Sequence, residues 1–131
     1  MGKFVVDLGA VLELVRTGKT VSPKHKLLAP TLLRSQALSV LHEAVHRGDL
    51  PADEAREQLA AIAKMPIRLL GDAVLRRRAW EVATELGWAE TYDAEYIALA
   101  QVQRSTLVAL DARLRRSAEG LVPIAGLDAL L

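Results

Sequence analysis

The chain has 131 residues, 51% of them hydrophobic and 25% charged, with a net charge of +1. That composition fits one globular domain over 1–131 with a single sizeable core, and it excludes both disorder and a global electrostatic pull toward nucleic acid. The absence of cysteine excludes a disulfide framework, a thiolate metal site and a thiol nucleophile, so any metal must be held by oxygen or imidazole.

Residues Met1 to Val6 carry one lysine and only a brief apolar stretch, too little for a signal peptide. No later run approaches the roughly twenty apolar residues of a membrane span. A cytoplasmic protein with no membrane segment is expected.

Lys3 to Val6 reads as a buried strand, Gly9 as a turn, and Ala10 to Arg16 as a helix stopped at Gly18. Thr17 to Lys26 is polar, with Ser22-Pro23 as a breaker and Lys24, His25 and Lys26 as a basic tip, which predicts a loop. Leu27, Leu28 and Ala29 make a second short strand. Pro30 suits the first turn of a helix running to Arg47, because its missing amide costs nothing there. On that helix Leu33, Ala37, Val40, Leu41, Ala44 and Val45 share one arc, and His42 and His46 fall on the opposite, polar side. A further helix from Leu50-Pro51 to Lys64 is stopped by Pro66, and Ile67 to Leu70 reads as a third strand.

Gly71-Asp72 begins a helix that Gly87 caps. Asp93 to Gln101 makes a shorter helix, Thr106 to Leu110 a fourth strand, Ala112 to Ala118 another helix, and Leu121 to Ile124 a fifth, edge strand where Pro123 is tolerable. Alternation of strand and helix with right-handed crossovers implies a mostly parallel sheet of four to five strands, flanked by helices on both faces.

Three aspartates stand where elements change. Asp7 ends the run Phe4-Val5-Val6, Asp111 ends Leu107-Val108-Ala109-Leu110, and Asp93 opens a helical segment. Helix capping accounts for such positions by itself. The carboxyl ends of parallel strands share one edge, however, so Asp7 and Asp111 project to the same side. The Asp93 helix reaches them if its connection arrives there. Left unpaired, three such carboxylates repel one another and raise their own pKa values, and a hard cation such as Mg²⁺ or Mn²⁺ is the natural compensation.

Four segments carry a family likeness: Phe-Val-Val-Asp at 4–7, Leu-Ala-Pro-Thr-Leu-Leu-Arg-Ser-Gln at 28–36, Tyr-Asp-Ala-Glu-Tyr-Ile-Ala-Leu-Ala at 92–100, and Leu-Val-Ala-Leu-Asp-Ala-Arg-Leu at 107–114. In these the chain resembles the PIN-domain ribonucleases, and within them the VapC toxins of bacterial toxin–antitoxin pairs. The resemblance implies a PIN-like three-layer sandwich, a homodimer, and a metal-dependent endoribonuclease acting on RNA. It also implies a VapB-like antitoxin partner that binds DNA and blocks the active site. Asp7, Asp93 and Asp111 match the family's metal-site aspartates. At the fourth acidic place, in the helix after the second strand, the family has glutamate and this chain has Gln36.

Glutamine keeps an acceptor oxygen but loses a negative charge and cannot deprotonate water. Either activity is reduced, leaving an attenuated PIN domain that binds antitoxin or RNA, or the acid comes from elsewhere. Glu43 lies about 20° round the helix from Gln36 but roughly 10 Å along its axis, which makes it a poor substitute. Glu95 and Asp72 are further candidates.

The same helix carries His42-Glu43-Ala44-Val45-His46, an HExxH pattern that can hold zinc for proteolysis. Arg47 charges a usually uncharged position, Gly48 ends the helix at once, and no third ligand is evident, so a solvated helix face is the simpler reading. Arg76, Arg77 and Arg113 are the candidate RNA contacts, through phosphate oxygens, although successive helix arginines cannot all face one ligand. Trp80, Trp88, Tyr92 and Tyr96 read as core or dimer contacts in preference to base-stacking platforms.

Overall fold

The strands Phe4-Val5-Val6, Leu27-Leu28-Ala29 and Leu107-Val108 are apolar on both faces, as a parallel sheet covered by helices on each side requires. The computed structural model describes residues 2–131. In chain order it contains β1 (Gly2–Val6), α1 (Leu8–Thr17), β2 (His25–Pro30), α2 (Leu32–His46), α3 (Ala52–Lys64) and β3 (Ile67–Leu70). There follow α4 (Ala73–Leu86), α5 (Tyr92–Val102), β4 (Thr106–Val108), α6 (Ala112–Ala118), β5 (Ile124–Ala125) and a 3₁₀ turn over Leu127–Leu130. All pairings are parallel, in the order β3-β2-β1-β4-β5. The expected α/β sandwich forms, with five strands where four to five were expected.

Because side chains alternate along a strand, each strand feeds two cores. Val5, Leu28 and Leu107 pack with Leu75, Ala79 and Val82 of α4 and with Ile97 and Leu99 of α5. Val6, Leu27, Ala29 and Val108 pack on the other face with Ala10, Val11 and Leu14 of α1 and Leu33 of α2. Val5 and Val6 are wholly buried, one in each core, and burying a side chain of that size stabilises by about 1.5–3 kcal/mol. The first strand is thereby fixed at the centre of the sheet. The chain runs outward from β1 to β3 and then returns to β4, so the strand order reverses between β1 and β4. In open parallel sheets that reversal leaves a crevice at the strands' carboxyl ends.

Several boundaries differ from those predicted. Pro30 does not start a helix: it ends β2, paired with Leu70, and Thr31 N–H donates to Leu70 O at 3.1 Å. Proline drives the residue before it toward extended backbone, and pairing with β1 ends at Leu28, so no partner on that side needs the missing amide. The second strand also starts earlier than expected, at His25. The fourth strand stops at Val108 because the amides of Leu110 and Asp111 bond to a side chain instead of a neighbouring strand. The fifth begins at Ile124, since the amides of Leu121 and Val122 fold back onto Ala118 O. Gly18 and Gly87 do end α1 and α4, at φ 66° and 70°, a left-handed conformation that a Cβ disfavours. No helix among the described residues is long and apolar enough to cross a membrane.

Candidate active site

Asp7 follows β1 directly, and its extended backbone lets the carboxylate turn back over the first turn of α1. Its Oδ1 accepts from Ala10 N–H at 2.8 Å, the capping bond foreseen for such a residue. Its Oδ2 accepts from Leu110 N–H at 3.0 Å and Asp111 N–H at 3.2 Å, which ties the end of β1 to the segment after β4. Of the roughly four acceptor sites on a carboxylate, three are thus used and one on Oδ1 remains. Asp7 is 4% exposed. Burial raises its pKa most strongly, the three amides oppose that, and the charge of Asp111 raises it further.

Asp111 caps α6 in the same way, accepting from Leu114 N–H at 2.8 Å. Asp93 lies in the first turn of α5, after the cap position Thr91, and accepts no hydrogen bond among the described residues. Its pKa is raised first by burial, then by Asp111, with Asp7 and Glu90 adding to the rise and Arg113 opposing it. Carboxylates from the ends of β1 and β4 and the start of α5 therefore share one electrostatic neighbourhood. All three line a cleft of about 580 Å³.

One wall of that cleft is α2, which presents Gln36, Ser39, Val40 and Glu43 at helical spacing. Gln36 is half-buried, and Tyr96 O–H donates to its Oε1 at 2.5 Å. That length suits a hydroxyl donor better than an amide one, so the glutamine's carbonyl faces Tyr96 and its N–H₂ is left for the cleft. Burial, with Asp7, Glu95 and Asp93 nearby, pushes the phenol far above its ordinary pKa and keeps the hydroxyl a donor. Of the acids proposed to replace a glutamate at 36, Glu43 lines the cleft and the other two do not. Asp72 caps α4 through Leu75 N–H, and Glu95 lies on α5, its pKa raised by burial alone. The axial rise that seemed to remove Glu43 only moves it along the cleft wall.

The donor chemistry of this cleft fits a hard divalent cation: three carboxylate groups, an unspent acceptor site on Asp7, an Asp93 without a hydrogen-bond donor among the described residues, and mutual repulsion that raises the pKa of Asp7 and Asp93. Among the described residues, no three His, Cys, Asp or Glu side chains stand close enough together to hold a metal ion as they are placed. The histidines of the HExxH run are both exposed on α2 and belong to no such group. Arg76 and Arg77 are exposed on α4, where Arg76 donates to Gly71 O at 3.2 Å, and neither lines the cleft. Arg113 is different. It lies over the Trp88 ring, 4.9 Å from its centroid, in a smaller cleft that shares Gln36 and Asp93 with the main one. The four aromatics also part company: Tyr96 is core, Trp88 half-buried, and Trp80 and Tyr92 exposed.

A parallel five-stranded sheet with an acidic cleft at its point of reversal is what the resemblance to PIN-domain ribonucleases implies. No family model matches the chain. It is 30% identical over 124 residues to Ribonuclease VapC9 of Mycobacterium tuberculosis and, at the same identity, to a VapC ribonuclease of Mycobacterium bovis; each alignment covers 92% of this chain and 95% of the relative. The protein therefore belongs to the VapC ribonuclease family. Among solved structures, PAE2754 of Pyrobaculum aerophilum superposes with a TM-score of 0.79 at 24% identity, over 98% of this chain and 92% of its own. VapBC2 of Rickettsia felis, solved bound to a DNA fragment from its promoter, gives a TM-score of 0.71 at 9% identity, over 95% of this chain and 98% of its own. At those identities the two structures speak to the fold alone.

Proposed function

We propose that this protein is a metal-dependent endoribonuclease, the toxin of a VapBC-type pair, which hydrolyses RNA phosphodiester bonds in the Asp7–Asp93–Asp111 cleft. The observation that carries the reading is the convergence of these carboxylates, from three separate elements, on one cleft at the carboxyl edge of the sheet. Membership of a family whose named members are ribonucleases supports it.

Asp7, Asp93 and Asp111 would hold Mg²⁺ or Mn²⁺. Such an ion supplies positive charge to the phosphoryl oxygens and acidifies a water molecule. The protein's own part is orientation. Three amides fix Asp7 and one fixes Asp111, so two of the three carboxylates are held by backbone. Asp93, free of other bonds, is the carboxylate available to accept a hydrogen bond from the attacking water. Gln36 cannot take that proton and can only donate or accept a hydrogen bond. A small VapB-like antitoxin, a homodimeric assembly and a cytoplasmic site of action complete the proposal.

The second reading is an attenuated domain that binds antitoxin or RNA without turnover, and Gln36 in the cleft wall favours it. One experiment separates the two. Purified protein is incubated with total RNA, with Mn²⁺ or with EDTA, beside Asp7→Asn. Cleavage that needs Mn²⁺ and disappears in the variant supports the enzyme, whereas intact RNA that still co-purifies with the protein supports the binding module. Cleavage unaffected by EDTA contradicts the metal-dependent reading.

A further inference from the structure

Beside the acidic cleft lies a smaller one of about 180 Å³, lined by Gln36, Trp88, Glu90, Tyr92, Asp93 and Arg113. Ligand pockets for larger molecules span about 300–1,000 Å³, so this space suits one flat group. Its floor is built to be rigid. The left-handed Gly87 ends α4, and Trp88 N–H then closes back onto Ala83 O at 2.8 Å. The indole packs against the core, and the Arg113 guanidinium lies over its ring. Arg113 itself sits in the first turn of α6, which Asp111 caps.

A guanidinium held over an indole is a planar cation beside an aromatic ring, and both kinds of face stack with nucleobases. Tyr92, 52% exposed at the start of α5, supplies a ring at the opposite wall. We propose that this side cleft receives one unpaired base of the RNA substrate, next to the scissile phosphate, stacked on the Trp88–Arg113 pair, with guanine preferred. The inference rests on the ribonuclease reading above. Its link to the reacting centre is physical: Gln36 and Asp93 line both clefts, so a base in one places its backbone at the other.

The preference for guanine follows from the polar groups of the wall. Glu90 is a carboxylate that only accepts, and guanine is the base whose pairing edge offers adjacent N–H donors. The Gln36 carbonyl is taken by Tyr96, leaving its N–H₂ to donate to the guanine carbonyl oxygen. Neither adenine nor cytosine offers that combination. A duplex end does not fit, since the base must leave its stack to enter.

The test measures binding apart from cleavage. Fluorescence anisotropy of a labelled four-nucleotide RNA, in EDTA, is recorded with guanine, adenine, cytosine, uracil or an abasic residue at one position. The wild-type chain should bind the guanine form roughly 5- to 150-fold more tightly than the abasic one, the factor carried by one base–aromatic stack. Arg113→Lys keeps the charge and loses the plane, so it should abolish that discrimination while retaining most of the affinity for the abasic form. A simple phosphate contact would show the reverse, with discrimination intact in Arg113→Lys, and would overturn the proposal. Equal binding of all five forms, or a preference for another base, would overturn it too. Asp7→Asn separates this outcome from failure of the ribonuclease reading: it should lose cleavage and keep base discrimination.

Discussion

Two sets of residues in this molecule have side chains of the kinds that ligate metals, and they differ in how they are brought together. His42 and His46 are four residues apart on one helix, a pattern visible in any window of the sequence, yet both are exposed and joined by no further ligand. Asp7, Asp93 and Asp111 are spread across the chain and line one cleft because β1 and β4 end on one edge of the sheet and α5 starts beside them. Local spacing marks a motif, but convergence through topology builds a cleft. Asp7 and Asp93 are held above the ordinary carboxylate pKa by burial and by neighbouring carboxylates.

The contrast is most sharply broken or upheld by removing one carboxylate. Asp93→Asn keeps the side chain's shape and disturbs no hydrogen bond among the described residues. RNA cleavage should fall by at least roughly 10- to 100-fold, the scale seen when groups around a metal are lost. Unchanged turnover would remove Asp93 from the site.

A smaller gain is expected from Gln36→Glu, which adds a fourth carboxylate to the cleft wall while Tyr96 O–H can still donate to it. Mn²⁺ should bind roughly 10-fold more tightly, equivalent to about 1.4 kcal/mol. The rise in melting temperature on adding Mn²⁺ should grow accordingly. A metal response equal to the parent's would mean that position 36 does not reach the ion.

Proton linkage gives a subtler signal. Asp7 and Asp93 have folded pKa values raised above the reference 3.8, so between those values the native state binds more protons than the unfolded one. Stability of the metal-free protein should therefore fall as pH rises from about 4 through the raised values. Mn²⁺ should oppose that loss, and Asp93→Asn should reduce it. Thermal melts across pH, with and without Mn²⁺, read all three.

The smallest effect belongs to the other set. His42→Ala with His46→Ala should leave RNA cleavage unchanged within error and shift stability by no more than about 0.5 kcal/mol, as is usual for exposed positions. Full loss of activity with the fold retained would return the HExxH run to consideration.

Much of the architecture was legible because apolar runs and glycine stops report directly on local backbone. Ile67–Leu70 and Ala112–Ala118 form where periodicity and turn residues put them. Pro30 misled, since proline at a helix start and proline as the last residue of a strand look alike until the neighbouring strand is known. Leu110 misled for a related reason: its amide was claimed by a carboxylate more than a hundred residues away in sequence, |i−j| = 103. Asp7 and Asp111 could be singled out because each ends a strand-like run. The Tyr96–Gln36 bond and the Arg113–Trp88 stack could not, because each joins elements whose proximity is set by the sheet and not by spacing.

The central claim, that three aspartates from separate elements hold one divalent ion, is tested most directly by calorimetric titration of Mn²⁺ into the wild-type chain and Asp111→Asn. The introduced asparagine retains an oxygen able to cap α6, so circular dichroism should report an intact fold in both. The account predicts saturable Mn²⁺ binding to the wild type and at least roughly 10-fold weaker binding to the variant. Equal affinity in the two proteins, or no binding in either, would contradict it.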